Sequence, residues 1–334
     1  MEATPLSLVF EKKVKKKVRV YEAPVPLAPL ADTHAHLTCF WEKDPASCLA
    51  RAALVGVRQL TTIYDPISDS MGLGAFQRDL RRWLDEAGGL IEANAGAALG
   101  QAGDTPGLTT PPTDLMGRVR YLVGVHPYGA PAYTDTVEDE IRAALTDDLC
   151  IGIGEIGLDY HVDFEDGVEP APHDLQIEVF SRQLAIAVRE NVPIELHLRN
   201  DAGDASREAH ADAFRALEEV GVPAAGCVLH CFGEDRATME RACALGCHIA
   251  YGGAATFNRN EEVREAFAAT PLDRILFETD CPYMAPMPLR GVECEPAMIA
   301  FTADALARDR AARTGEDPVA IQQAAWENAV RLLG

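Results

Sequence analysis

Between residues 30 and 280, eight short β-rich runs alternate with amphipathic stretches, and this rhythm constrains the fold more than any other feature of the chain. The runs are residues 30–36, 57–64, 120–126, 150–158, 193–199, 226–232, 248–252 and 274–280. Between the fourth and fifth, Ile177, Phe180, Leu184 and Val188 recur at a helical period, with Glu178, Arg182 and Arg189 elsewhere on the surface. Strand, helix and strand in succession imply parallel pairing. Comparable helices are expected over 45–54, 73–86, 137–145, 205–220, 235–245, 261–269 and 296–307, with a final helix over 318–333 to close the bottom or the side. The prediction is an α/β fold, a (β/α)8 TIM barrel with parallel strands, and 334 residues suit one such barrel.

Two segments break the rhythm, and a third precedes it. Residues 88–112, rich in Gly, Ala, Thr and Pro, read as a long surface loop, and 162–172 as an insertion that forms a lid. Residues 1–28 read as an extension to a single domain over 29–334. An apolar run at 6–10, a basic stretch at 12–19, alternating Val18 and Val20, then Pro24 and Pro26, suggest a basic hairpin. It is either a solvated edge structure or a basic clamp on substrate or partner.

Formal net charge is −22, and the first twenty residues carry six Lys or Arg against Glu2 and Glu11, which leaves −26 for the rest. Such a body opposes loose binding to phosphate backbones, so local positive charge must draw in any anionic substrate, and bound metal could supply it. No apolar run approaches the ~20 residues of a membrane span. The N-terminus lacks the order of a secretory signal, and nine cysteines without a compact framework imply reduced thiols; a cytoplasmic protein is expected. Cys227, Cys231, Cys243 and Cys247 read as buried small hydrophobes rather than a zinc site, with the first two facing the helix layer.

The first run ends in Asp32-Thr33-His34-Ala35-His36, and residues two apart on a strand point the same way. Glu155, His197, His230 and Asp280 fall at the ends of the fourth, fifth, sixth and eighth runs, so all six side chains converge on one rim. Four imidazoles and two carboxylates exceed what one catalytic cation takes. They suit Zn, Mn, Fe, Co or Ni more than Ca, and imply two metals.

These stretches resemble the TatD family of metal-dependent hydrolases, within the wider amidohydrolase-like barrels. The resemblance rests on Asp32 to Leu37, Val123-Gly124-Val125-His126-Pro127, Gly152 to Tyr160, Pro193 to Arg199, Leu229-His230-Cys231-Phe232 and Glu278-Thr279-Asp280-Cys281-Pro282. It implies a two-metal site in which His34, His36 and Asp280 attend one cation, His197 and His230 the other, and Glu155 bridges. Zinc is the first expectation, with Mg, Mn, Co, Fe and Ni as alternatives. Water activated between the cations would attack an ester, with Asp280 orienting it and shuttling its proton, and Asp280 and Glu155 are the expected catalytic residues. The resemblance further implies phosphodiester cleavage in DNA, on a small or single-stranded nucleic-acid substrate, in the manner of a 3′ exonuclease. A carboxylic ester or amide, such as the aminoacyl bond of a misacylated tRNA, is an alternative. A catalytically silent barrel acting through a partner is another.

His126 and Arg199 are the candidates for substrate contact at the rim, and Tyr160 is a further one that could equally be packing. His126 could instead be a structural histidine before Pro127. Glu195 and Glu278 lie one layer below His197 and Asp280, as acceptors for ligand imidazoles or as protonated groups. Cys294 stands where the family pattern has asparagine, before Glu295-Pro296.

Overall fold

The computed structural model describes residues 6–99, 108, 110–162 and 169–334. Strands β1 (Val9–Val14) and β2 (Lys17–Glu22) pair antiparallel as a hairpin. Eight further strands form one parallel sheet: β3 (Leu30–Ala35), β4 (Val57–Tyr64), β5 (Val119–Val123), β6 (Cys150–Asp159), β7 (Ile194–Arg199), β8 (Cys227–Leu229), β9 (His248–Tyr251) and β10 (Ile275–Phe277). Each pairs with its neighbours in chain order. Just beyond β3 and β10 the chain closes on itself. The Asp280 amide donates to the His34 carbonyl at 3.0 Å, and the His36 amide to the Cys281 carbonyl at 2.8 Å. This is the TIM barrel that the strand count predicts.

Helices α1 (Pro45–Val55), α2 (Leu73–Ala93), α3 (Asp135–Ala144), α4 (His173–Glu190), α5 (Glu208–Val220), α6 (Arg236–Ala244), α7 (Glu261–Ala269) and α8 (Ile299–Thr314) follow the strands. α9 (Pro318–Leu333) closes the bottom, where Ala329 packs with Ala31, Val228, Ala250 and Leu276 near the strand starts. Several helices begin where a side chain satisfies a free backbone N–H: Asp44 accepts from Ser47, Thr134 from Val137 and Asp235 from Thr238.

Two amides on α4 tie its buried face to strand ends. The Gln183 side chain accepts from the Val125 amide at 2.8 Å and donates to its carbonyl at 3.0 Å, and Gln176 does the same for Asp159, at 2.8 Å each. They hold the backbone just past β5 and at the end of β6, where site residues begin.

The surface loop expected over 88–112 needs correction, because α2 runs through Gly88 and Gly89 to Ala93. Leu80, Trp83, Ala87 and Ile91 are all buried at helical spacing, so the packed face outweighs the glycine pair's poor helix propensity. Residues 100–107 and 109 of that segment, and 163–168 of the expected lid, lie outside the described residues.

The hairpin is seated on the barrel rather than merely appended to it. Phe10 is buried, its ring 5.5 Å from that of Phe301 and 4.7 Å from the Arg51 guanidinium, and the Lys12 ammonium donates to the Pro288 carbonyl at 3.1 Å. Among the described residues no helix is long and apolar enough to cross a membrane.

Candidate metal centre

His34 and His36 enter the barrel mouth side by side from the end of β3, with their Nε2 atoms 2.9 Å apart. Two facing ring nitrogens share at most one proton, so lone-pair density points into the space between them, as in a pair of metal ligands. Asp280 Oδ1 approaches the same place, 3.5 Å from His36 Nε2 and 3.7 Å from His34 Nε2. A left-handed backbone at Asp280, φ 56°, turns it inward directly after β10.

Glu155, on β6, divides its two oxygens. Oε1 lies 2.5 Å from His197 Nδ1 and 2.8 Å from His230 Nε2, and Oε2 lies 3.7 Å from the Nε2 atoms of both His34 and His36. The glycines around it permit this closeness. A Cβ on Gly157, at φ 149°, would stand 2.0 Å from the His197 carbonyl oxygen, so only glycine lets β7 bring His197 this near.

The six expected ligands are thus gathered in one place, and their electrostatics are those of a strongly coupled buried cluster. Burial above all, then the neighbouring His230, pushes the His34 imidazole down to about 3. For His197, burial pulls downward, but Glu155 and Asp159 reverse it and raise the ring to about 9. Glu155 itself is held well below the carboxylate range, because His230 and His197 outweigh the opposing effect of burial. Asp280 behaves likewise beside His36 and His34.

A second ring of acids backs the first. Glu195, fully buried on β7, contacts His34 Nδ1, and burial lifts its carboxyl to about 8. Glu278 accepts from the Cys231 amide at 2.5 Å and faces His230 Nδ1 at 3.8 Å. Asp159 lies 3.1 Å from His197 Nε2. Sequence reasoning placed Asp159 in a motif without a role, although its spacing of four from Glu155 on one strand puts both on the same face. Asp65 was also missed; it accepts from the His126 amide at 3.1 Å.

Divalent cations suit this centre. Ligand atoms of His34, His36 and Glu155, and of Glu155, His197 and His230, lie within 4.8 Å of one another in each group. Two buried carboxylate oxygens, Glu195 Oε2 and Glu278 Oε2, and the ring nitrogen His230 Nδ1 have no hydrogen-bond partner, so the side chains alone leave polar atoms around this centre unsatisfied. Imidazole with carboxylate is a borderline donor set that favours transition metals over Ca.

The expected substrate contacts divide. His126 stands beside the cluster, its ring 4.3 Å from that of His197, and its Nδ1 accepts from the Tyr128 amide at 3.2 Å. Burial first, then His197, lowers it to about 3. Arg199 stays half exposed at the rim, 3.9 Å from Asp159. Tyr160 turns away from the ligands: its ring stacks on His173 at 3.4 Å and its hydroxyl donates to Asp212 at 3.0 Å. It lies beyond β6, where the chain leaves the barrel toward α4 and α5, so packing claims it. Cys231 is also corrected. Its φ of 48° rotates the thiol to 3.7 Å from Asp280 Oδ2 and not toward the helices. Cys227 does face outward from the centre, against Cys247.

A family model described as TatD related DNase matches residues 31–334. The chain belongs to the TatD family. It is 38% identical over 197 residues to the uncharacterized metal-dependent hydrolase YcfH of Escherichia coli, covering 58% of this chain and 68% of that protein. To the 3′-5′ ssDNA/RNA exonuclease TatD of Pectobacterium carotovorum it is 32% identical over 217 residues, 63% of this chain and 76% of that one. The crystal structure of YJJV, a TatD homolog from Escherichia coli, covers 91% of the chain with a TM-score of 0.66 at 23% identity, and has the same fold. As a TatD protein the chain is a metal-dependent hydrolase with a His, Glu and Asp cluster suited to divalent metal.

Proposed function

We propose that this TatD protein hydrolyses phosphodiesters at the ends of unpaired nucleic acid. His34, His36 and Asp280 would hold one divalent cation, His197 and His230 a second, with Glu155 between them. The observation that carries the reading is the division of the Glu155 carboxylate, one oxygen facing each imidazole pair. Relatives named 3′-5′ ssDNA/RNA exonuclease support the substrate class.

Bound cations would supply a nucleophile at neutral pH and polarise the ester. The rest falls to the chain's own groups. Asp280 is ionised at neutral pH and stands beside the paired imidazoles, so its carboxylate can take the proton of the attacking water. His126 is neutral there, and because its Nδ1 accepts from Tyr128, its Nε2 carries the proton and can donate to a phosphate oxygen. Arg199 offers a half-exposed cation on the same rim.

The test is metal analysis together with hydrolysis of bis-p-nitrophenyl phosphate and of 3′-labelled single-stranded DNA, for wild type, Glu155→Ala and Asp280→Ala. About two metals per chain is expected, with both activities lowered at least about a hundredfold in either variant. Metal without phosphodiester cleavage would keep the hydrolase and move its substrate to the carboxylic ester or amide class.

A further inference from the structure

Among the described residues, large hydrophobic side chains are exposed at seven positions, and three of these, Val18, Val20 and Val25, belong to the N-terminal segment. The other four, Trp41, Tyr128, Tyr283 and Met284, follow β3, β5 and β10 at the mouth of the barrel. An acidic protein that keeps its outward-facing aromatic rings at the metal centre has placed them where a substrate can cover them.

Two of these rings are linked to the ligand cluster in sequence. Tyr283, 44% exposed, stands with its ring 5.9 Å from that of His36, at an interplanar angle of 73°. Trp41, 63% exposed, lies 6.3 Å beyond Tyr283. Both are held from behind. Glu293 accepts from the backbone amides of Trp41 and Glu42, at 2.5 and 3.2 Å, and the Tyr283 amide donates to the Asp280 carbonyl at 2.9 Å. The indole and phenol are therefore presented by a fixed backbone.

We propose that Trp41 and Tyr283, whose rings stand at 66° to each other, form an angled stacking platform for an unpaired base of the polynucleotide, which lies on the face of one ring and against the other, next to the phosphodiester held at His36. The inference rests on the phosphodiester reading and deepens it by assigning where a base lies. Charge favours this occupant. The body carries −26 outside its first twenty residues, and the rim cation Arg199 is shared with Asp159, so phosphates other than the one at the metal centre gain little and base stacking supplies the affinity there. A π-face accepts every base, so the platform gives preference for unpaired over paired strands without sequence preference.

Binding is measured on the metal-loaded protein with a fluorescein-labelled oligothymidylate whose phosphorothioate linkages resist cleavage. A strand of equal length with abasic residues near its 3′ end is the control. Wild type should bind the base-bearing strand about tenfold more tightly than the abasic one. Trp41→Ala and Tyr283→Ala should each lose about that factor on the first strand and nothing on the second, and Trp41→Phe should keep most of it. A salt dependence equivalent to only one or two phosphates should accompany binding. Equal losses on both strands, or none, would overturn the platform. So would wild type binding both strands alike, as for a platform that takes some other aromatic group, and this outcome leaves the phosphodiester reading standing. Wild type binding neither strand would sink both.

Discussion

Glu195 has no path to solvent and touches no substrate space, yet it contacts the ring nitrogen of His34 that faces away from the cluster. A ligand imidazole must be neutral and must present its lone pair forward, so its rear N–H needs an acceptor. Glu195→Gln keeps an acceptor in the same volume, whereas Glu195→Ala leaves both a cavity and an unpaired N–H. Competition against a chelator should show metal affinity reduced about 10- to 100-fold in the alanine variant and less in the glutamine one. Equal retention of metal by all three would mean that Glu195 does not position His34. The residues of this centre were unequally legible in the sequence. His34 and His36 announce themselves by a spacing of two on a strand, and Glu155, His197, His230 and Asp280 by their places at strand ends. Tyr160 satisfies the same positional rule and is nonetheless packed against His173, because position along a strand does not tell where the chain departs from it. Cys231 escaped for a related reason: a left-handed φ just past β8 breaks the alternation on which its outward assignment depended.

At the scale of elements, α2 shows where composition and packing disagree. Gly88 and Gly89 made the segment read as loop, while the stripe Leu80, Trp83, Ala87, Ile91 continues through them to the end of the helix. Other elements were legible almost to the residue, among them β4 and α9, because a run rich in β-branched and aromatic residues bounded by Gly56 and Asp65-Pro66 marks the first, and a Pro start with a preceding Asp cap marks the second. The short strands β8 and β10 proved less so. The runs expected from sequence extend three residues past the last paired residue of each strand, to Phe232 and to Asp280, and nothing in them shows where the backbone bends to deliver His230 and Asp280. A Cβ at Gly88 or Gly89 would meet nothing within 4 Å, and neither residue has a positive φ. Alanine at either position should therefore stabilise the protein by up to about 1 kcal/mol, through helix propensity and a less free unfolded chain. Thermal and urea melts of Gly88→Ala, Gly89→Ala and the double variant measure this. A lowered midpoint would show that the last turns of α2 are not helical in solution.

Across the whole molecule, a net charge of −22 means that acids outnumber the bases able to pair with them, so stability depends on how the few buried cations are placed. Arg310 on α8 is one of these. Its guanidinium donates to the carbonyls of Phe267 and Thr270 at 2.8 and 2.7 Å, tying α8 to the end of α7, and its remaining donors meet Glu316 at 2.6 and 3.1 Å. The hydrogen bond from Arg310 is the main reason that Glu316 titrates below its ordinary 4.5. A carboxyl with a depressed folded-state pKa stabilises the native state fully above its unfolded value and loses that contribution as pH falls through the folded one. Glu316→Gln should thus cost about 1 kcal/mol at neutral pH. The gap between variant and wild type should begin to narrow below about 4.5 and close as the native carboxyl protonates. Urea denaturation of both proteins from pH 7 down to pH 3 reads the difference directly. A gap that persists unchanged to the lowest pH would show that the loss comes from packing or from the Thr314 contact at 2.8 Å, rather than from the charge on Glu316.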